Sequence, residues 1–162
     1  MTNLLALDQS STHVGYAIFK DGVLTHWDEF VPDSPNYDAL RKFIKKTIKE
    51  NAIDIVIVET IYLAFFRGKV QAQVFKVLAT VKAHIWAAAR DAGCEVVEVS
   101  AYHAMRALTG ITKVATKREV RKAAMIEGAL KLTGEAVSDH VADAVGLGLA
   151  YIQSLQVHVP QP

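Results

Sequence analysis

The sequence predicts an α/β domain built on a mixed five-stranded sheet, antiparallel at its start and parallel afterwards, with helices on both faces. Two observations predict it. Three strand-like runs open the chain, Asn3–Asp8, Val14–Lys20 and Val23–Val31, and Asp21-Gly22 between the second and third is a two-residue hairpin signal. Beyond them, stretches of helical spacing alternate with apolar runs too short to be helices, the order expected when later strands join a covered sheet through crossovers.

Pro32 and Pro35 end the opening meander, and Tyr37–Glu50 then shows helical spacing. In that helix Leu40, Phe43, Ile44 and Ile48 trace an apolar stripe, and the cations between Arg41 and Lys49 fill the opposite, solvated face. Ile53–Val58 is nearly continuous in branched apolar residues, as in a strand buried on both faces. A long helix follows from Val70 to Ala92, with Val74, Val77, Leu78, Val81, Ile85 and Trp86 on its apolar side, and Gly93 stops it. Cys94–Val99 reads as another buried strand, and helical patterns then cover Ala101–Leu108, Thr116–Leu132 and Ser138–Leu155. The expectation is one domain over 1–156, with Val157–Pro162, which holds two prolines, as a frayed tail.

Composition excludes several classes. A chain of 162 residues can bury a substantial core, and 51% hydrophobic against 22% charged residues is not the balance of a disordered protein. No apolar run reaches the roughly 18–20 residues that span a bilayer, so no membrane association is expected. Met1-Thr2-Asn3 leads straight into a strand, so a secretory signal is not expected either, and a cytoplasmic setting is. Cys94 is the only cysteine, which excludes an intramolecular disulfide and a cysteine-cluster metal site and leaves a plain buried thiol as its reading.

A net charge of +1 argues against nonspecific coating of nucleic acid, but the charge is unevenly distributed. Between Ile61 and Arg90 stand Arg67, Lys69, Lys76, Lys82 and Arg90 without an acid. Between Arg106 and Lys122 stand Arg106, Lys113, Lys117, Arg118, Arg121 and Lys122 against Glu119 alone. Either segment by itself reads as a solvated helix face; two on a near-neutral chain suit a protein that holds a polyanion.

Three acids occupy positions where a buried element should have none. Asp8 ends Leu4-Leu5-Ala6-Leu7, Glu59 ends Ile55-Val56-Ile57-Val58, and Asp143 interrupts Val141-Ala142-Asp143-Ala144-Val145. Burying one carboxylate without a partner costs several kcal/mol, on the order of what a buried ion loses in solvation. One such residue reads as a cap for a neighbouring loop. Three together, drawn from two strands and a packed helix, point to a divalent cation bound by oxygen ligands, which suits Mg²⁺ or Mn²⁺ over zinc. His140 and Asp139 lie three and four residues before Asp143, on the same helical face. If Ser138 is the helix N-cap, Asp139 is equally well a first-turn carboxylate facing the helix dipole.

At these residues the chain resembles the RuvC Holliday-junction resolvases of the RNase H-like superfamily. Leu4-Leu5-Ala6-Leu7-Asp8-Gln9-Ser10-Ser11-Thr12 followed by Val14-Gly15-Tyr16-Ala17 is similar to the family's opening motif: a strand ending in Asp, a small-residue turn, then Gly in the second strand. Val56-Ile57-Val58-Glu59-Thr60-Ile61-Tyr62 is similar to the second motif, a strand ending in Glu with an aromatic three residues on. Val141-Ala142-Asp143-Ala144 resembles the last motif, and Ala115-Thr116-Lys117-Arg118-Glu119-Val120 the short basic one. The resemblance spans Leu4 to about Tyr151, and with it the RNase H-like fold is the expected architecture. The chain departs from the family at Gln9-Ser10, where cellular members usually have Pro-Gly, and at His140, which stands in place of the motif's Asp, although some members use His there.

The resemblance implies a Mg²⁺-dependent endonuclease, two ions per site with Mn²⁺ able to substitute, that cuts branched DNA and above all four-way junctions as a homodimer. It implies Asp8, Glu59, His140 and Asp143 as catalytic and metal-binding residues, with Asp139 a shifted candidate for the same ligand role. Tyr62 stands at the family's aromatic position and Arg106 close to another DNA-contacting cation; Phe66, Arg67, Lys69, Lys113, Lys117, Arg118 and Arg121 complete the expected DNA contacts. Of Phe65 and Phe66, one is expected to pack on the core instead. The Val70–Ala92 helix is the candidate dimer surface, although burial within the monomer explains much of the same pattern. Three rivals stand beside this reading: a fork, flap or structured-RNA nuclease of the same fold, a junction-binding module without catalysis, and a phosphotransferase of the actin and sugar-kinase class. The last needs two such domains to enclose a nucleotide, and the chain is too short for both.

Overall fold

The computed structural model describes residues 2–10, 12–32, 37–62, 66–113 and 117–156. Three opening strands, β1 (Asn3–Asp8), β2 (Val14–Lys20) and β3 (Val23–Phe30), lead to α1 (Tyr37–Asn51), β4 (Ile55–Glu59), α2 (Gly68–Asp91) and β5 (Glu95–Val99). Three helices follow: α3 (Ala101–Thr109), α4 (Arg118–Thr133) and α5 (Asp139–Gln156). The sheet order is β3-β2-β1-β4-β5, antiparallel across β3, β2 and β1 and parallel across β1, β4 and β5. The expected meander and crossovers are therefore both present, and element ends fall within two residues of the sequence reading. Asp21 and Gly22 make the β2–β3 turn with φ of 52° and 80°, the left-handed pair such a hairpin requires.

Alternation along β1 divides the core. Leu5 and Leu7, with Val56 and Val58 of β4, point to the face covered by Ile44 and Ile48 of α1 and Val81 and Ile85 of α2. Leu4 and Ala6, with Ala17, Phe19 and Ile57, point to the other face, where Val141, Ala144, Val145 and Leu147 of α5 cover them. α5 lies close to the sheet because small residues line it: a Cβ on Gly148 would stand 2.1 Å from the Phe19 ring. A third cluster, Met105, Met125, Ala129 and Ala142, ties α3 and α4 to the outer side of α5.

Two expectations change. Cys94–Val99 was to be a buried strand, yet β5 is the sheet edge: Glu95 and Glu98 are exposed and Val96 and Val97 half-buried. An edge strand has a neighbour on one side only, and charged residues along it discourage pairing with another chain. Lys82 of α2 forms an ion pair with Glu98 there. The long helix also divides: Val81, Ile85, Ala88 and Ala89 are buried in the core, whereas Val70 and Val74 are exposed. The cations of α1 lie on its solvated side as expected, Arg41 pairing with Asp38, Lys45 with Asp91 and Lys46 with Glu50. Cys94 is buried, and its Sγ donates to the Ile53 carbonyl at 3.1 Å. No helix among the described residues is long and apolar enough to cross a membrane. The Val157–Pro162 tail, Ser11, Phe65, Ala115 and Thr116 lie outside the described residues.

Candidate active site

Parallel strands bring their carboxyl ends to one edge of a sheet, and β1 and β4 do this with Asp8 and Glu59. Their shared register ends at Leu7↔Val58, so the two acids are the next residues on adjacent strands. Asp8 is 8% exposed, and its own antiparallel partner on β2 is Gly15. A Cβ at Gly15 would stand 2.1 Å from the His140 carbonyl oxygen, so only glycine lets the first turn of α5 close over β2. That approach brings His140 to Asp8, Nδ1 to Oδ2 at 2.8 Å, and leaves Asp143 one turn further along α5 facing the strand ends. Ser138 caps α5 as the sequence suggests, accepting from the Val141 N–H at 3.2 Å, and its hydroxyl donates to Glu29.

The acids act on one another. Burial, then the charge of Asp8, pushes Glu59 up to about 7, with Lys82 partly opposing. Burial, then the charges of Asp8, Glu59 and Asp139, pushes Asp143 up to about 7 as well, with His140 opposing. His140 is raised by its hydrogen bond to Asp8, against the effect of burial. Asp139 differs: its carboxylate is taken by the Lys122 ammonium, which holds it below its ordinary value.

Glu59 and Asp143 face a cleft of about 590 Å³, also lined by Tyr102, Met105, Met125, Arg118, Arg121 and Lys122. Acids on one side and three cations of α4 on the other match a phosphodiester whose phosphate is held by cations near an acidic metal centre. Among the described residues no three His, Cys, Asp or Glu side chains converge as a ready-made metal cluster; Asp8 turns to His140 instead. The donor chemistry nonetheless fits a hard divalent cation. Three carboxylates share one strand-end environment, and two of them are forced toward protonation by burial and mutual repulsion, which a bound cation relieves.

The expected DNA contacts divide. Arg118 and Arg121 line the acidic cleft. Lys117 precedes α4, Arg106 lies in the last turn of α3, and both are exposed, as is Lys113. Lys69 lies beside Ser10 in a separate groove on α2, and Arg67 precedes that helix. Tyr62 belongs to another pocket, with Thr60, Ser100, His103 and Tyr151, away from Asp143. Phe66 is half-buried and packs edge-on against Phe75 at 5.3 Å.

Sequence reasoning missed four residues at the site. Lys122 was counted among the cations but not assigned to the cleft, and Tyr102 carries no sequence signal of its own. His13 stacks on His140, ring centres 5.8 Å apart and 6° from parallel. Gln9, noted only as a departure, is 6% exposed and bonds the main chain of Glu59 through both ends of its carboxamide.

Against solved structures, the chain matches Thermus thermophilus RuvC bound to a Holliday junction, with a TM-score of 0.76 at 16% identity over 97% of this chain and 96% of that one. This chain has the RNase H-like fold in its RuvC form. The fowlpox virus resolvase in complex with Holliday junction DNA matches with a TM-score of 0.64 at 15% identity, over 95% and 99% of the two chains. The yeast mitochondrial Holliday junction resolvase matches with 0.61 at 11% identity, over 97% and 81%. No protein-family model matches the chain, and no curated protein matches it by sequence. The overlap covers 97% of the chain, so the likeness is one of the fold along nearly its whole length.

Proposed function

We propose that this chain is a structure-selective endodeoxyribonuclease that resolves four-way DNA junctions by paired, metal-dependent phosphodiester hydrolysis. The observation that carries this reading is the cleft: Glu59 and Asp143, both raised to about 7, face Arg118, Arg121 and Lys122. Asp8, Glu59 and Asp143 would hold two Mg²⁺ ions, or Mn²⁺ in their place, with His140 at the edge of the shell; Asp139, engaged by Lys122, serves the site through that contact. When bound, the ions make water nucleophilic near neutral pH and stabilise charge on the leaving 3′-oxygen. His140 orients the Asp8 carboxylate through its Nδ1 contact. Arg118 and Arg121 draw the phosphate toward the acids, and Lys113, Lys117 and Arg106 extend that track along the backbone without reading sequence. Arg67, just before α2, and Tyr62, in a separate pocket, would hold the arms of the branch, while Phe66 packs on Phe75 and Lys69 lies in the groove that α2 lines.

A four-way junction offers two equivalent strands, and a twofold dimer presents two equivalent sites to them. The exposed amino-terminal half of α2 supports a homodimer: Val70, Val74, Val77 and Leu78 line an apolar groove of about 540 Å³, the seat for a second copy.

The test is cleavage of a labelled synthetic four-way junction with Mg²⁺, beside linear duplex and fork controls, for wild type and Asp8→Asn. Paired symmetric nicks that the variant loses while still binding are the expected result. Forks cut as readily as junctions would widen the substrate. Tight binding without cleavage in either Mg²⁺ or Mn²⁺ would refute catalysis and leave a junction-binding module.

A further inference from the structure

We propose that Gln9 is a positioning residue that sets the place of Glu59 relative to Asp8; this rests on both acids being ligands, as proposed above. The Gln9 Nε2 donates to the Glu59 carbonyl at 2.9 Å, and the Glu59 N–H donates to Gln9 Oε1 at 3.0 Å. A primary amide bonding a main-chain N–H and C=O of one residue imitates the way a strand bonds its neighbour.

The topology explains why that imitation is needed. β4 is held on its outer side by β5 to its last residue, through the Glu59↔Val99 pair and the Thr60 N–H to Val99 carbonyl bond at 2.9 Å. On its inner side the ladder with β1 stops at Leu7↔Val58, because after Asp8 the chain turns away toward β2. Glu59 directs its own N–H and C=O to that inner side, where no backbone continues. The Gln9 side chain supplies both missing bonds from within the opening turn itself. A single residue next to Asp8 therefore grips the backbone of Glu59, fifty positions away in the chain. A proline at this position could not do this. A proline side chain has no donor or acceptor to offer.

Gln9 is buried and does not line the cleft of Arg118, Arg121 and Lys122, so its loss should alter metal affinity and turnover and leave DNA binding unchanged. The test compares wild type with Gln9→Met, which keeps length and removes both bonds, and Gln9→Glu, which keeps the acceptor and loses the donor. Each is measured for thermal unfolding, Mn²⁺ binding by electron paramagnetic resonance, and kcat and KM on a four-way junction with Mg²⁺. For Gln9→Met the expected result is a cooperative unfolding transition, Mn²⁺ affinity weakened about tenfold or more, kcat reduced by a similar factor, and KM for the junction within about twofold. Gln9→Glu should fall in Mn²⁺ affinity and kcat as well. Wild-type Mn²⁺ affinity and kcat in Gln9→Met would overturn the proposal. So would loss of the cooperative transition in Gln9→Met, since the residue would then hold the sheet together and not one ligand. If wild type itself neither binds Mn²⁺ nor cuts, the metal-nuclease reading fails, an outcome separate from that of the clamp.

Discussion

Replacing Asp143 with asparagine should make the metal-free protein more stable and the enzyme inactive. Asp143 is raised from 3.8 to about 7, first by burial and then by Asp8 and Glu59. Three pH units at ~1.36 kcal/mol each set a ceiling of ~4 kcal/mol on the cost of ionising it in the fold. Glu59 is raised by the same crowd of charges, and Asp143 keeps some contact with solvent, so ~1–3 kcal/mol is the working range. The sign follows from linkage. A carboxyl whose folded value exceeds its unfolded one keeps a proton that the unfolded chain has released, so stability falls as pH rises from the unfolded value toward 7 and then levels. The raised His140 acts in the same direction, its contact with Asp8 being lost as pH passes its folded value. The stabilisation by Asp143→Asn should therefore be near zero at about pH 4 and largest above about pH 7. Urea unfolding in chelator across that range measures it. Added Mg²⁺ should then stabilise wild type more than the variant, because a ligand that binds only the folded state adds to its stability. An asparagine variant less stable than wild type at high pH, or a gain independent of pH, would refute the electrostatic account.

Other consequences concern different parts of the molecule. Gly15→Ala should destabilise the fold by ~2 kcal/mol or more, because its Cβ would stand 2.1 Å from the His140 carbonyl oxygen and both partners are backbone; a urea midpoint within error of wild type contradicts this. Arg118→Ala combined with Arg121→Ala should weaken junction binding and flatten its dependence on salt by about one unit per lost phosphate contact, read from affinity against log salt concentration. Val74→Asp should leave monomer stability within about 0.5 kcal/mol, since the residue is exposed, yet shift the proposed dimer to monomer in sedimentation; a wild type that sediments as a monomer with and without junction DNA contradicts the dimer.

Much of this molecule is legible along the chain because its signals are local. The strand and helix periods, the Asp21-Gly22 turn and the Ser138 cap each depend on a few consecutive residues, and the structure has them where the sequence puts them. Asp8, Glu59 and Asp143 stood out for the same reason, each an acid in an apolar run. Burial of β5 was misjudged because an edge strand and a central one can share a composition; only the sheet order tells them apart. Phe66 stands among the expected DNA contacts, and its edge-on packing against Phe75, nine positions on, is a contact that the sequence does not announce.

By itself, then, the sequence determined the kinds of elements, their order and the acids that break the apolar pattern. Tertiary structure decided which groups meet. It put Lys122 on Asp139, His140 on Asp8, and the Gln9 carboxamide on the backbone of Glu59. The physical reason is that periodicity and capping are properties of neighbours in the chain. Pairing across a cleft depends on where β1 turns away, how closely Gly15 lets α5 approach, and which side chain is left to complete the hydrogen bonds at the strand end.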